Sequence, residues 1–336
     1  MGELFNYNSI YAPFFKGFIK MKQDKGYNAL RTKWIFLEFD KFFTSIGVED
    51  LYITRSLIEQ WRHTRINDGQ RTIYAKYSAW SQFCKYMCHL GHECYIPRLS
   101  KSVSKNSFTP YIFTHRQMED IFQACDSLCL HDKHMSTILF IMPAVVRLLY
   151  GTGMRVSEAL SLKNEDVDLE NYCITLRKTK NGEQRLAPIS ESLQKILEQY
   201  TRSRNKMPLA KTSNPNGYFF ISPSGSFCRA GSVYCWFRKV LAKCGIPHVG
   251  NHHGPRVHDL RHTFAVHSLM KMAKSGHDLY YTLSVLSTYM GHKSIGSTEQ
   301  YIRLTQEMYP ELLNDERELC AYIFPKIKTI ENDGNN

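Results

Sequence analysis

Between Val257 and Leu304 the chain gathers residues suited to chemistry on a phosphate. His258 and Arg261 stand three apart, a separation that puts both side chains on one face of a helix. Met290, Gly291 and His292 follow, and Tyr301 comes nine residues after His292. Upstream, the segment GTGMRVSE from Gly151 to Glu158 opens a helical pattern with a second arginine, Arg155. Arginine keeps its charge and presents paired, planar donors that match phosphate oxygens. The histidines add further donors, and a tyrosine hydroxyl is a candidate nucleophile. Together these residues predict a site that cuts a phosphodiester through a tyrosine.

The elements that must position them are mostly helices. Ile35, Phe39, Phe42 and Ile46 repeat at helical spacing, as do Ile73, Tyr77, Trp80, Cys84 and Met87, so residues 1–97 are expected to be helical with apolar core stripes. Gly26, Gly47 and Gly69 fall between the stripes, where turns are expected. Arg98 to Pro110, RLSKSVSKNSFTP, is rich in Ser and Lys and predicts a linker. Thr114 followed by Gln117 has the pattern of a capping box that opens the next helix. The apolar run from Thr137 to Tyr150 predicts a buried helix, broken by Gly151 and Gly153. Tyr172 to Arg177 alternates as a strand, Asn181-Gly182 is a hairpin turn, and Gln184 to Ile189 returns. Lys180 stands at the tip and, by itself, is an exposed turn lysine. Helices are expected at 190–203 and 230–244, with a short strand at 217–222 between them. The fold class is therefore mainly α with a small β-sheet.

Composition narrows the partners. The chain has 336 residues, 43% of them hydrophobic, and carries a net charge of +12. Residues 1–105 hold sixteen Lys and Arg against nine Asp and Glu, so seven of the twelve positive charges lie there. Such a surplus suits a polyanion, and a helical bundle carrying it could clamp duplex DNA through its phosphates. The ten cysteines form no paired framework and are expected to be reduced. Cys84, Cys88, His89, His92 and Cys94 have zinc-ligand chemistry, but all fall within eleven residues with no second pair, and Cys84 lies on the apolar stripe. They are expected to be core or surface residues. His252, His253, His258 and His262 form a histidine-rich cluster; phosphate binding accounts for His258 better than a metal does. The longest apolar run, Ile138 to Tyr150, is interrupted by Pro143 and Arg147 and is too short to span a membrane.

The segments TGMRVSEAL, HDLRHTFA and YMGHKS, with Tyr301 after them, occur in the order and spacing that resemble the tyrosine recombinases, the phage integrase family that includes the chromosome-dimer resolvases. The resemblance covers roughly residues 110–310, and more weakly the N-terminal hundred. It implies a helical core-binding domain over 1–97 that clamps DNA, a linker over 98–110, and a mixed α/β catalytic domain over 111–326. A docking helix at about 310–324 would lie within that last domain, and 327–336 would be a tail. No arm-binding domain is expected ahead of the helices, which begin near Ser9. The stretch from Arg261 to His292 is longer than is usual in the family, and Lys271 to Tyr281 reads as an added helix end or loop.

The resemblance also implies the chemistry. Arg155, Arg261, His258 and His292 would hold the phosphate, Tyr301 would attack it to give a 3′-phosphotyrosyl enzyme, and Lys180 would protonate the leaving 5′-oxygen. Lys180 is aligned on the Arg185 to Ile189 segment that follows it, with Lys178 as the competing hairpin lysine. His258 could assist deprotonation of Tyr301, and Glu158 would orient Arg155. No metal or other cofactor is expected, because the phosphotyrosine conserves the bond energy for religation. The expected partner is double-stranded DNA at recombination sites, with four protomers joining two sites and no membrane. The setting would be the cytoplasm of a bacterium, at the nucleoid. The implied role is integration, excision or transposition of a mobile element. The alternatives are a chromosome-dimer resolvase, a type IB topoisomerase-like enzyme, or a non-catalytic DNA-binding repressor.

Overall fold

Aromatic residues at helical spacing organise the first part of the chain. In the computed structural model, which describes residues 5–99, 109–128, 137–177, 183–209, 212–248, 254–292, 294 and 296–309, the chain divides into two units, Met1–Phe108 and Thr109–Asn336. The first consists of four helices among its described residues: α1 (Ala12–Asp24), α2 (Leu30–Ser45), α3 (Arg55–His63) and α4 (Gln70–His89). Their inward stripes supply Phe15, Phe36, Phe39, Phe43, Trp61, Trp80 and Phe83, all fully buried. Phe39 stacks on Trp80 with centroids 3.9 Å apart. Rings of this size bury 150–250 Å² each and dominate such a core. Buried Asp40 ties the entry segment to α2 by accepting hydrogen bonds from the Asn8 and Ser9 backbone N–H groups at 2.8 and 2.9 Å. Cys84 is packed inside this core, whereas Cys88 is exposed.

The second unit opens with α5 (His115–Asp126), started by the expected capping box. The Thr114 hydroxyl accepts from the Gln117 N–H at 3.1 Å, and the Gln117 amide oxygen accepts from the Thr114 N–H at 2.9 Å. The buried helix α6 (Met142–Thr152) begins later than the apolar run suggests. Pro143 sits in its first turn, where a missing N–H costs nothing, and a short 3-10 turn at Leu139–Ile141 precedes it. Gly153 then ends α6 in the left-handed conformation, with φ of 59°. α7 (Val156–Ser161) follows.

Among the described residues the β structure is an antiparallel sheet of β1 (Val167–Asp168), β2 (Cys173–Leu176) and β3 (Arg185–Pro188), in that order. Ile174 pairs with Ala187, which places both on the buried face. The hairpin strands are those the alternation indicates, while β1 was not expected. The turn holding Lys178, Lys180, Asn181 and Gly182 lies outside the described residues.

α8 (Glu191–Asn205) and α9 (Ala230–Lys243) match the expected helices. The short strand expected at 217–222 does not form; only single bridges occur, Lys163 with Tyr218 and Ile221 with Phe227. The Phe219 N–H donates to the Leu162 carbonyl at 2.9 Å, but Tyr200 Oη and Arg204 Nη1 both donate to the Phe219 carbonyl, which is then lost to a continuing ladder.

α10 (Asp259–Lys274), α11 (Leu279–Met290) and α12 (Gly296–Met308) complete the unit. α10 is central and packs against α6, α11 and α12. Ala265, Val266 and Leu269 of α10 meet Leu283, Leu286 and Met290 of α11 and Ile302 and Leu304 of α12. Burying each large aliphatic side chain contributes about 1.5–3 kcal/mol. Lys271 to Tyr281 resolves into the end of α10, a turn at Gly276, and the start of α11, where Asp278 caps by accepting from the Tyr281 N–H at 2.8 Å. No helix among the described residues is long and apolar enough to cross a membrane. The 310–324 helix and the 327–336 tail lie outside the described residues.

Candidate active site

Four helix ends converge around one arginine. Arg261, on the first turn of α10, is only 3% exposed. Its Nη1 donates to the Gly153 carbonyl at 2.6 Å, and its Nη2 donates to the Met290 carbonyl at 2.8 Å. It thereby binds the C-terminal ends of α6 and α11, where last-turn carbonyls lack intrahelical partners. The same Nη2 lies 2.8 Å from His292 Nε2. Burial, then repulsion from Arg155, pushes the Arg261 pKa down to about 10, so it stays charged at neutral pH.

His292 follows Gly291, which closes α11 in the left-handed conformation, with φ of 66°. Its Nδ1 lies 2.7 Å from the hydroxyl of buried Thr298. Burial, then the charges of Arg261 and Arg155, pushes the His292 pKa down to about 4. The imidazole is therefore neutral at pH 7, and the Arg261 N–H donates to Nε2.

Arg155 sits at the N-terminal cap of α7 and is held by Glu158. The Arg155 N–H donates to Glu158 Oε2 at 2.9 Å and its Nη1 to Oε1 at 2.7 Å. A third arginine, Arg185 of β3, reaches the same carboxylate from the far side, with Nη2 to Oε2 at 3.1 Å. Burial would raise the Glu158 pKa, but hydrogen bonds from the Arg155 backbone and Arg185 hold it below the usual carboxylate value. Glu158 is thus an ionised carboxylate, 2% exposed, bracketed by two guanidinium groups. A Cβ at Gly291 would approach Arg185 Nη1 at 3.0 Å, so glycine there lets the α11 end close over β3. The Tyr289 hydroxyl fastens the same junction, donating to the Pro188 carbonyl at 3.0 Å.

Tyr301 lies on α12 and is 1% exposed. Burial raises its pKa, with Arg261 and Arg155 opposing. Its ring stacks near His292, with centroids 6.3 Å apart, and its Oη is 2.9 Å from His262 Nδ1. His258, at the N-cap of α10, is exposed, and its ring stands edge-on to His262 at 4.9 Å.

The fold thus brings Arg155, Glu158, His258, Arg261, His292 and Tyr301 into one neighbourhood from four stretches of chain. Lys180 and its competitor Lys178 lie outside the described residues, as do His252 and His253. Sequence reasoning missed Arg185, which served only to align the hairpin, and it left His262 in a histidine cluster. Both carried a signal: Arg185 heads the returning strand, and His262 is four residues past His258, hence on the same helical face. Among the described residues no group of three or more His, Cys, Asp or Glu could hold a metal ion.

Gly153 is structurally critical here. A Cβ would meet Phe264 Cδ1 at 2.4 Å, on a backbone that L-residues rarely adopt. Gly153→Ala should destabilise the fold by about 1–3 kcal/mol and displace the carbonyl that anchors Arg261. Urea unfolding checks this; an unshifted midpoint would contradict it.

Residues 112–308 match the family model described as the phage integrase family. A putative integrase/recombinase, y4rB, of Sinorhizobium fredii is 25% identical over 304 residues, which is 88% of this chain and 93% of that protein. The tyrosine recombinase XerC of Bacillus licheniformis is 28% identical over 242 residues, covering 71% of this chain and 72% of its own. Among solved structures, the Tn1549 transposon integrase in complex with circular intermediate DNA superposes with a TM-score of 0.60 at 19% identity, covering 86% of this chain and 94% of that one. A lambda integrase dimer bound to a core site gives 0.59 at 18% identity, over 88% and 77% of the two chains.

Proposed function

The chain belongs to the phage integrase family, and on that premise we propose that it is a site-specific DNA recombinase that cuts and rejoins duplex DNA through a 3′-phosphotyrosyl intermediate. Arg155 and Arg261 clamp the non-bridging oxygens of the scissile phosphate, where negative charge concentrates in the pentacoordinate transition state. His258 adds a further hydrogen bond to the phosphate, and His292, accepting from Arg261 through Nε2, holds that guanidinium in place. Tyr301 attacks phosphorus as His258 takes its proton, and displaces the 5′-oxygen. Lys180 protonates that oxygen, and Glu158 orients Arg155. The bond energy stays in the phosphotyrosine, so a 5′-hydroxyl from another strand reverses the step without a cofactor. The observation that supports this reading is the convergence on one buried arginine: Arg261 Nη2 lies 2.8 Å from His292 Nε2, with Tyr301 stacked beyond.

The surplus of positive charge in residues 1–105 fits a DNA-gripping role for the N-terminal unit. The protein would act at the nucleoid, as four protomers on two sites. The segment after Tyr309 would dock on a neighbouring protomer in a cyclic, heterologous arrangement. The mobile-element role is favoured over dimer resolution by the putative integrase relative, which matches along 88% of this chain.

A duplex bearing a 5′-bridging phosphorothiolate, built on a site recovered by affinity selection, tests the chemistry. The protein should remain on the 3′ end and release a 5′-thiol. Lys180→Ala should cleave the ordinary duplex about 10²–10⁴-fold more slowly, yet recover on the sulfur substrate, whose leaving group needs no proton. Protein on the 5′ end would overturn the reading; recovery by Lys178→Ala instead would move the acid by two residues.

A further inference from the structure

The geometry points to His262 as the positioning residue for Tyr301: its Nδ1 accepts the phenol hydrogen bond and holds Oη on the face of α10 that carries His258 and Arg261. This inference rests on the recombinase reading of the site and deepens it.

His258, Arg261 and His262 lie within one turn, so the three side chains share a face of α10. Tyr301 approaches that face from α12, 39 residues further along the chain, and meets it at 2.9 Å from His262 Nδ1. The rings form a continuous series. His258 stands edge-on to His262 at 4.9 Å, His262 lies 5.7 Å from Tyr301, and Tyr301 stacks 6.3 Å from His292, which Arg261 holds. Apolar packing of Ile302 and Leu304 fixes α12 against α10 and α11. It is non-directional and does not by itself aim a hydroxyl. The hydrogen bond supplies that direction, joining two side chains that are 9% and 1% exposed.

The electrostatics suit an acceptor that does not keep the proton. Burial, then the neighbouring His258, Arg261, Arg256 and His292, pushes the His262 pKa down to about 3, while burial raises that of Tyr301. The resting pair is a neutral phenol donating to a neutral imidazole. His262 orients the nucleophile, and the phenol proton passes to His258 as Oη bonds to phosphorus and the 5′-oxygen leaves.

The test compares His262→Asn, His262→Gln and His262→Leu with the wild type and with Tyr301→Phe. Asn places an amide oxygen near the position of Nδ1, whereas Gln reaches toward Nε2. Half-site binding and single-turnover adduct formation on a nicked suicide duplex are measured for each. Leu and Gln should bind with unchanged affinity and lose on the order of 100-fold in adduct rate, the effect of a nucleophile misplaced by about 1 Å. Asn should retain a rate within roughly tenfold of wild type. If Leu fails to fold, the comparison of Asn with Gln decides. A wild-type adduct with Leu at the full rate, or with Asn as impaired as Gln, would overturn the role of His262 alone. No adduct from the wild type would overturn the recombinase reading beneath it.

Discussion

Tyr301→Phe is expected to bind its DNA site with wild-type affinity and to form no covalent adduct. The substitution removes one oxygen from a ring that is otherwise buried in apolar contact with α10 and α11. It leaves His262 Nδ1 without the phenol at 2.9 Å, a loss of about 0.5–1.5 kcal/mol. The fold should therefore stand. Without the nucleophile, cleavage should fall by about 10⁴-fold or more, on the scale of losing any covalent catalyst. Gel shifts and a denaturing gel of a nicked suicide substrate measure the two halves. A persistent adduct in this variant would place the nucleophile on another residue.

Arg261→Ala is expected to damage both catalysis and stability, and Arg261→Lys to separate the two. The guanidinium serves the Gly153 and Met290 carbonyls and His292 together. Alanine leaves two carbonyls of a buried site without that donor, at about 1–3 kcal/mol for a buried polar group left unsatisfied. On the proposed mechanism it also deletes a charge that stabilises the phosphate, for a loss of about 10²–10³-fold in rate. Lysine restores the charge but not the planar fork. The lysine variant should thus regain stability only in part and remain slow, by about 10²-fold or more. Thermal unfolding and single-turnover cleavage check each arm. A lysine variant that cleaves at the wild-type rate would show that the fork is not needed.

The parts of this molecule that depend on local spacing were legible in its sequence. Apolar stripes at helical periods gave α2 and α4, although Ile46 falls at the C-cap of α2 and is exposed; Thr114 and Gln117 gave the cap of α5, and the alternation after Tyr172 gave the β2–β3 pair. The joint spacing of Arg155, His258, Arg261, His292 and Tyr301 gave the cluster. What stayed hidden depends on tertiary closure. The Gly153 carbonyl meets Arg261 across 108 residues, and Arg185 meets Glu158 across 27. No periodicity encodes either contact. The 217–222 segment makes only isolated bridges, because the Tyr200 and Arg204 side chains, distant in sequence from it, take the Phe219 carbonyl that a ladder would use. Pro143 delayed the start of α6 for a local reason that the apolar run obscured.

The central claim is that Tyr301 makes a covalent bond to DNA at a site built by Arg155, Arg261 and His292. Peptide mapping of the wild-type protein after reaction with a nicked suicide duplex tests it most directly. One modified peptide is expected, containing Tyr301 and carrying a 3′-phosphoryl nucleotide on its phenol oxygen. A nucleotide on any other residue, or a cleaved strand with no protein attached, would contradict it.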